Sequence, residues 1–264
     1  MMHAGFDLSV DLSFCANYYI HGKTLHDEHK RKVKSTLDSF KNPKGGLFAE
    51  KIVAEWFPSM SADVFLSHSH RDEPEIIALS GWLHEKFGLS CFIDSSIWGF
   101  SEDLLKMIDN EYCYDKDRKI YNYDDRNKST SHVHMMLSTA LIETMDACEC
   151  VFFVNTPNSI KIDEAINGAG TTESPWIFSE IAMTKLLRKK ELHEHRRMIA
   201  EAMDSTGMES FEKNLRIHYD VNLSHLQHIN EDTLFSWLTH YQREKPNYPL
   251  DFLYTQKSQG AIYG

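Results

Sequence analysis

The chain has 264 residues, of which 42% are hydrophobic and 25% are charged, and 39 acidic residues outnumber 28 basic ones for a formal net charge of −11. This composition is that of a globular protein, and the length suits one large domain whose core needs no disulfide or metal for stability. The acidic balance argues against non-specific binding to nucleic acid, which requires a surplus of lysine and arginine.

The sequence shows no signal for export or membrane insertion. Asp7 and Asp11 lie where a signal peptide needs a basic start and an apolar block, and no apolar run approaches the length of a membrane span. The five cysteines are odd in number and lack the spacing of a disulfide framework, which indicates reduced thiols. We therefore expect a cytoplasmic protein that binds neither membrane nor nucleic acid.

The first part of the chain, residues 1–60, is expected to be an N-terminal accessory segment. Apolar and polar residues alternate over 6–14, which predicts a strand with one wet face. Residues 24–40 are charged and helical in pattern, and 47–57 predict a short amphipathic helix.

The chain then has the pattern of a strand, a helix and a second strand. Residues 63–69 are a short apolar run with a polar end, and Asp72 with Glu75 three residues later is typical of a capping box. Apolar residues follow at helical spacing until Gly88, which ends the helix, and 89–93 form the second strand. Three such elements within about thirty residues imply a parallel βαβ unit.

Residues 95–130 are expected to form a long loop that contains a helical turn or two over 102–109. Loops of this length are usually lids or binding segments. The remaining predicted elements are a helix over 131–147, a strand over 151–154, a helix that opens at Ser174, a helix over 191–212, a strand over 215–221 and a last helix that carries Leu234 and Trp237. This alternation predicts an α/β fold with a flavodoxin-like, doubly wound parallel sheet over 61–245, followed by a tail over 246–264. Sites in such folds lie at the carboxyl ends of the strands.

The helix that opens at Ser174 contains one conspicuous acid. Ser174 is a good N-cap, and Pro175 occupies the first helical position. The residues that follow are apolar almost all round, and Glu180 interrupts them one turn beyond Trp176 on the same face. Such an acid must be paired, solvated in a cleft or carry a raised pKa. The plainer interpretation is an acid on the exposed stripe of a core helix.

A family resemblance emerges when four segments are placed in order: DVFLSHSHRD at 63–72, FGLSCFID at 87–94, TALIETMDACECVFFVN at 139–155 and SPWIFSE at 174–180. They resemble the corresponding pieces of a Toll/interleukin receptor (TIR) domain, in which the first strand ends in a polar turn and a Trp-x-x-x-Glu pair opens the third helix. Ser174, Trp176 and Glu180 match that helix by position. The chain departs from the family in the length of its 95–130 segment and in a GAG-containing insertion before Ser174.

The chain also resembles stand-alone bacterial TIR proteins of immunity, and this resemblance implies an enzyme that cleaves NAD between nicotinamide and ribose. Glu180 would be its catalytic residue, because a carboxylate near the ribose stabilises a transition state that resembles an oxocarbenium ion. The products would be nicotinamide and either ADP-ribose or a cyclic ADP-ribose-type signal, as for an NAD nucleosidase or ADP-ribosyl cyclase. NAD is the substrate, and no further cofactor is expected.

Candidate substrate contacts lie at the first strand end, on the long loop and at the start of the third helix: Ser67, His68, Ser69, Arg71, Trp98, Phe100, Ser174 and Trp176. The two aromatic residues of the loop are candidates for stacking on a ring, with hydrophobic anchoring of the loop as the alternative. No metal is expected, because the His-x-His pairs have no Cys, Asp or Glu partner at ligand spacing.

Two other functions remain open. A TIR adaptor acts through TIR–TIR assembly without catalysis, and a nucleoside deoxyribosyltransferase-like enzyme shares the glycosidic chemistry and a similar fold. For the enzyme and the adaptor alike, the resemblance implies a homo-oligomer built through TIR–TIR contacts. If the protein makes a nucleotide signal in anti-phage defence, a separate downstream effector would recognise that product.

Overall fold

A computed structural model describes residues 4–28, 37–42, 46–57, 62–162, 170–187 and 219–260. The strands of these parts are β1 (Ala4–Leu8), β2 (Val64–Ser67), β3 (Cys91–Ile93), β4 (Tyr114–Asp115), β5 (Ile120–Tyr121), β6 (Cys150–Val154), β7 (Lys161–Ile162), β8 (Gly170–Thr172), β9 (Tyr219–Asp220) and β10 (Gln227–Ile229). The helices are α1 (Tyr19–Glu28), α2 (Ala49–Trp56), α3 (Glu73–Phe87), α4 (Ser95–Ile108), α5 (Tyr123–Ala147), α6 (Pro175–Leu186), α7 (Glu231–Glu244) and α8 (Asp251–Gly260).

Five strands form the central sheet in the order β10-β1-β6-β2-β3, and every neighbouring pair in it is parallel. All residues of β2 and β6 are buried, as expected of apolar strands that helices cover on both faces. The predicted α/β class with a parallel sheet is therefore confirmed, and the arrangement is compatible with a flavodoxin-like fold.

Neighbouring side chains of a strand enter two different hydrophobic clusters, one on each face of the sheet. Leu66 packs in the cluster that contains residues of α3, α7 and α8, whereas Phe65 packs in the cluster that contains residues of α2, α4 and α5. In the first cluster the rings of Phe87 and Trp237 stack at 3.9 Å between centroids, which ties α3 to α7.

Residues 4–8 form part of the central sheet, which corrects the prediction of an accessory segment over 1–60 for this stretch. β1 lies between β6 and β10, and its side chains Phe6 and Leu8 are completely buried. The predicted strand also ends early: Asp11 caps a 3-10 helix, Leu12–Tyr18, by accepting a hydrogen bond from the Ser13 backbone at 2.9 Å. The short side chain of Asp11 turns the chain where alternation alone predicts a continued strand.

Residues 95–130, predicted as a long loop, are mostly regular structure. They contain α4, a π-helical segment at Asp109–Cys113, the β4–β5 hairpin and the start of α5. Asp109 holds these pieces together, because its buried carboxylate accepts hydrogen bonds from Ser129 Oγ at 2.5 Å and Arg126 Nε at 2.8 Å. Charged residues cover the exposed surface of the segment and concealed its helical pattern in the sequence.

The C-terminal part contains a strand that the sequence did not predict, β10, and a helix where a tail was expected. The last predicted helix is confirmed as α7. Of the strand predicted over 215–221, residues 215–218 lie outside the described part of the chain, and Tyr219 and Asp220 form β9, in a small antiparallel sheet with β8. The predicted tail over 246–264 contains α8, whose Leu253 and Tyr254 are buried against the core. The helix predicted over 191–212 lies outside the described residues. No helix in the described part of the chain is both long and apolar enough to cross a membrane.

Candidate functional site

Four buried polar side chains meet at the carboxyl edge of the parallel sheet. Ser67 and His68 stand at the end of β2, Asp94 directly follows β3, and Glu180 reaches them from α6. Their exposed fractions are between 1 and 3%, although each carries a strongly polar group. We call these four residues the buried quartet. Its position is where parallel α/β sheets place binding and catalytic groups.

The start of α6 determines where Glu180 lies. Ser174 caps this helix as predicted, accepting a hydrogen bond from the Ile177 backbone at 3.3 Å, and Pro175 occupies the first turn. Trp176 is half-buried, and its ring contacts His134 of α5 edge-on at 5.8 Å. With Ile177 buried in the core, the helix directs Glu180 to the end of β2.

Two short hydrogen bonds organise the quartet. Ser67 Oγ donates to Glu180 Oε2 at 2.5 Å, and His68 Nδ1 lies 2.7 Å from Asp94 Oδ1. Asp94 also begins α4, because the same Oδ1 accepts a hydrogen bond from the Ser95 backbone at 2.9 Å. The quartet is therefore anchored to β2, β3, α4 and α6 at once.

The pKa of Glu180 is raised well above its usual value. Burial is the largest cause, the neighbouring charge of Asp94 adds to it, and the hydrogen bond from Ser67 only partly offsets them. Burial and the charge of Asp94 therefore both favour the neutral form of this carboxyl group. This finding overturns the interpretation of Glu180 as an acid on an exposed stripe, because the side chain is 3% exposed and hydrogen-bonded.

The pKa of His68 is also raised. Burial by itself would lower this pKa, but the charge and hydrogen bond of Asp94, the Leu66 carbonyl and the charge of Glu73 together outweigh burial. The second ring nitrogen, Nε2, is buried and has no hydrogen-bond partner among the described residues. It is therefore an unused polar atom within the site.

A second cluster joins the loop after β6 to the start of α3. The Asp72 carboxylate accepts hydrogen bonds from Thr156 Oγ1 and Asn158 Nδ2, each at 2.5 Å. The predicted capping box of Asp72 and Glu75 is therefore wrong, since Asp72 makes no side-chain cap and uses its oxygens for this loop. Sequence spacing does not show such a long-range partner.

An open cleft of about 530 Å³ lies beside this loop, at the carboxyl ends of β1, β6 and β10. Asn155 and Thr156 line one part of it, and Asp11, Glu231 and Asp232 give it an acidic lining. These carboxylates disfavour a phosphate group there and favour hydroxyl or cationic groups.

The remaining predicted contacts are scattered. Ser69 is buried at the start of a 3-10 turn, and Arg71 is exposed on that turn. Phe100 is a core residue of α4 and only 4% exposed, which agrees with the alternative of hydrophobic anchoring. Trp98 lies on α4, but its side chain is outside the described part of the structure. Ser174 serves as a helix cap and Trp176 packs on α5.

Asp94 is the site residue that the sequence prediction missed. The available signal was its position, because a carboxylate directly after a buried parallel strand lies at the functional edge of the sheet. Among the described residues no group of three or more His, Cys, Asp or Glu side chains is arranged to hold a metal ion.

Comparisons of the chain with protein-family models, with curated proteins and with solved structures gave no match.

Proposed function

We propose that this protein is a TIR-type enzyme that cleaves NAD at the bond between nicotinamide and ribose, with Glu180 as its catalytic residue. The observation that carries the proposal is the buried Glu180 carboxyl, which is hydrogen-bonded to Ser67 at the carboxyl edge of a parallel sheet. The same residue completes the serine, tryptophan and glutamate pattern by which the sequence resembles TIR domains.

The chemistry needs one well-placed negative charge. Nicotinamide is bound to the ribose as a cationic ring and leaves as a neutral molecule, so its departure requires no acid. Positive charge then develops on the ribose, and a carboxylate close to it lowers the barrier. Burial strengthens this interaction, since charges attract more strongly where water is excluded.

Glu180 must lose its proton to act in this way. The cationic ring of the substrate favours that loss, because an adjacent positive charge lowers the pKa of a carboxyl group. Ser67 keeps the carboxylate oriented by donating to Oε2. His68 Nε2, which has no described partner, is available to contact a polar atom of the substrate.

The acceptor of the ribose decides the product. Water gives ADP-ribose, whereas a group of the same NAD molecule gives a cyclic form. A cyclic product would imply a downstream effector that recognises it, and hydrolysis alone would make NAD depletion the output in anti-phage defence.

The test is to incubate the purified full chain with NAD at several protein concentrations and to separate the products by chromatography. We expect nicotinamide release by the wild type and a loss of about a hundredfold or more in Glu180→Gln. Glu143→Gln is the matched control, because Glu143 is an exposed residue of α5. A specific activity that rises with protein concentration would support the proposed homo-oligomer.

The alternatives have distinct outcomes in the same assay. No nicotinamide release at any concentration, with self-association unaffected by Glu180→Gln, would favour the adaptor. Release of bases from free nucleosides without NAD cleavage would favour the deoxyribosyltransferase-like enzyme. Full activity of Glu180→Gln would refute the catalytic role of that residue.

A further inference from the structure

The buried quartet holds two carboxyl groups and too few donors for both to be ionised. Asp94 Oδ1 accepts hydrogen bonds from His68 Nδ1 and from the Ser95 backbone, and Glu180 Oε2 accepts one from Ser67. Glu180 Oε1 is buried and has no N–H or hydroxyl donor among the described residues. The other carboxyl group that interacts with Glu180 is that of Asp94.

We propose that Asp94 and Glu180 share one proton, and that the site releases this proton to solvent when a positively charged group enters. The carboxyl proton supplies the donor that is otherwise missing between the two side chains. The identity of the natural ligand is the one part of this inference that rests on the proposed function. In that function the positively charged group is the nicotinamide ring of NAD.

The charges of the site favour the same arrangement. His68, from the end of β2, lies 2.7 Å from Asp94, and Glu73, from the start of α3, acts on His68 through its charge. Two ionised carboxylates with one imidazolium would leave a net negative charge in a buried place, which is costly. A protonated Glu180, an ionised Asp94 and a charged His68 make the quartet neutral. Burial and the neighbouring charge of Asp94 raise the pKa of Glu180, which is consistent with the proton residing there.

The exchange has a clear consequence for ligand selection. A cationic ring can replace the proton and leave the charge of the site unchanged, whereas a neutral ring of the same shape cannot. We therefore expect the site to bind cationic ligands more tightly as the pH rises and to bind neutral analogues without this dependence. Asp94 is a positioning residue in this scheme, since it acts on the substrate through Glu180.

The protonation of Glu180 can be measured without any turnover. The full chain is labelled with 13C at the glutamate side-chain carboxyl carbon, the Glu180 signal is assigned from its absence in Glu180→Gln, and its shift is followed with pH. We expect a neutral carboxyl at pH 7 in the wild type. In Asp94→Asn the Glu180 signal should titrate lower by about one pH unit or more, since the neighbouring negative charge is removed.

Asp103→Asn is the matched control, because Asp103 is exposed on α4. It should leave the Glu180 titration unchanged. An ordinary titration of Glu180 near pH 4.5 in the wild type would overturn the proposal. An unchanged Glu180 titration in a folded Asp94→Asn would also overturn it. If Asp94→Asn does not fold, the titration of Glu180 in the wild type still decides whether this carboxyl keeps its proton.

Ligand exchange is tested with two small probes, the 1-methylnicotinamide cation and neutral nicotinamide. Calorimetry in buffers of different ionisation enthalpy should show release of about one proton for each cation bound to the wild type, and none in Glu180→Gln. Binding of the cation without proton release, or no preference for the cation, would overturn the exchange. Because these measurements need no NAD cleavage, their failure is distinguishable from failure of the proposed enzyme activity.

Discussion

The N-terminal segment packs on the core through two glycines, and replacing one of them tests this packing directly. A Cβ atom added at Gly22 of α1 would lie 1.8 Å from the carbonyl oxygen of Ile77 in α3. At Gly81 of α3, a Cβ atom would lie 2.5 Å from the Tyr18 carbonyl oxygen and 2.6 Å from the Gly22 backbone nitrogen. The two helix backbones therefore touch without intervening side chains.

Gly22→Ala has two opposite effects on the stability of the protein, and they differ in size. Alanine favours an isolated helix over glycine by about 1 kcal/mol. To restore the 1.8 Å contact to 3.0 Å, α1 must move by roughly 1.2 Å away from α3. Overpacking of this kind costs about 1–3 kcal/mol or more, and here the contact is with backbone that cannot rotate away. We expect a net loss of about 2 kcal/mol in the free energy of unfolding.

Urea unfolding followed by circular dichroism measures this loss as a lower midpoint at constant m-value. Gly88→Ala is a useful contrast, because open space surrounds Gly88 but its φ of 69° strains any other residue. It should cost about 1 kcal/mol through the backbone alone. A Gly22→Ala protein as stable as the wild type or more stable would refute the α1–α3 contact.

Three further predictions concern the site and the core. As the pH rises above 4.5, the unfolded chain releases the Glu180 proton whereas the folded protein keeps it. The free energy of unfolding of the wild type should therefore fall relative to that of Glu180→Gln, by up to about 1.4 kcal/mol per pH unit. A constant stability difference in urea unfolding between pH 4 and 8 would contradict this. Trp237→Phe removes a 2.7 Å hydrogen bond from Nε1 to the Pro249 carbonyl. The Nε1 of Trp56 has no partner among the described residues, so Trp56→Phe removes no such bond. Trp237→Phe should therefore lower the free energy of unfolding by about 1 kcal/mol more than Trp56→Phe does. Leu253→Ala in α8 should cost about 2–5 kcal/mol in the same experiment, whereas a disordered tail would give no change.

The local features of the site were predictable because their causes lie within a few residues of one another. The cap of α6 by Ser174, the proline in its first turn and the left-handed Gly88 at the end of α3 all follow from short-range backbone rules. An isolated acid among apolar residues pointed to Glu180 for the same reason. The parallel βαβ unit followed from its hydrophobic pattern.

Other features followed from no local pattern. A strand such as β10 offers only three residues and one buried apolar side chain, Ile229, so its place in the sheet depends on pairing with a distant β1. Asp72 was assigned to a nearby helix end, but its partners, Thr156 and Asn158, come from the loop after another strand. Charged residues on the surface of 95–130 hid the few apolar anchors that make it helical.

The sequence by itself determined the α/β class, the parallel βαβ unit and the place of Glu180 as the one acid in an apolar helix. Only the tertiary structure decided that residues 4–8 form an inner strand and that Asp94 stands beside Glu180 in a buried place. The physical reason is that hydrophobic periodicity and capping act over one or two helical turns, whereas strand order and the burial of a charge depend on residues far apart in the chain. The protonation of Glu180 depends on such a neighbour, and the chemistry proposed for this protein depends on that protonation.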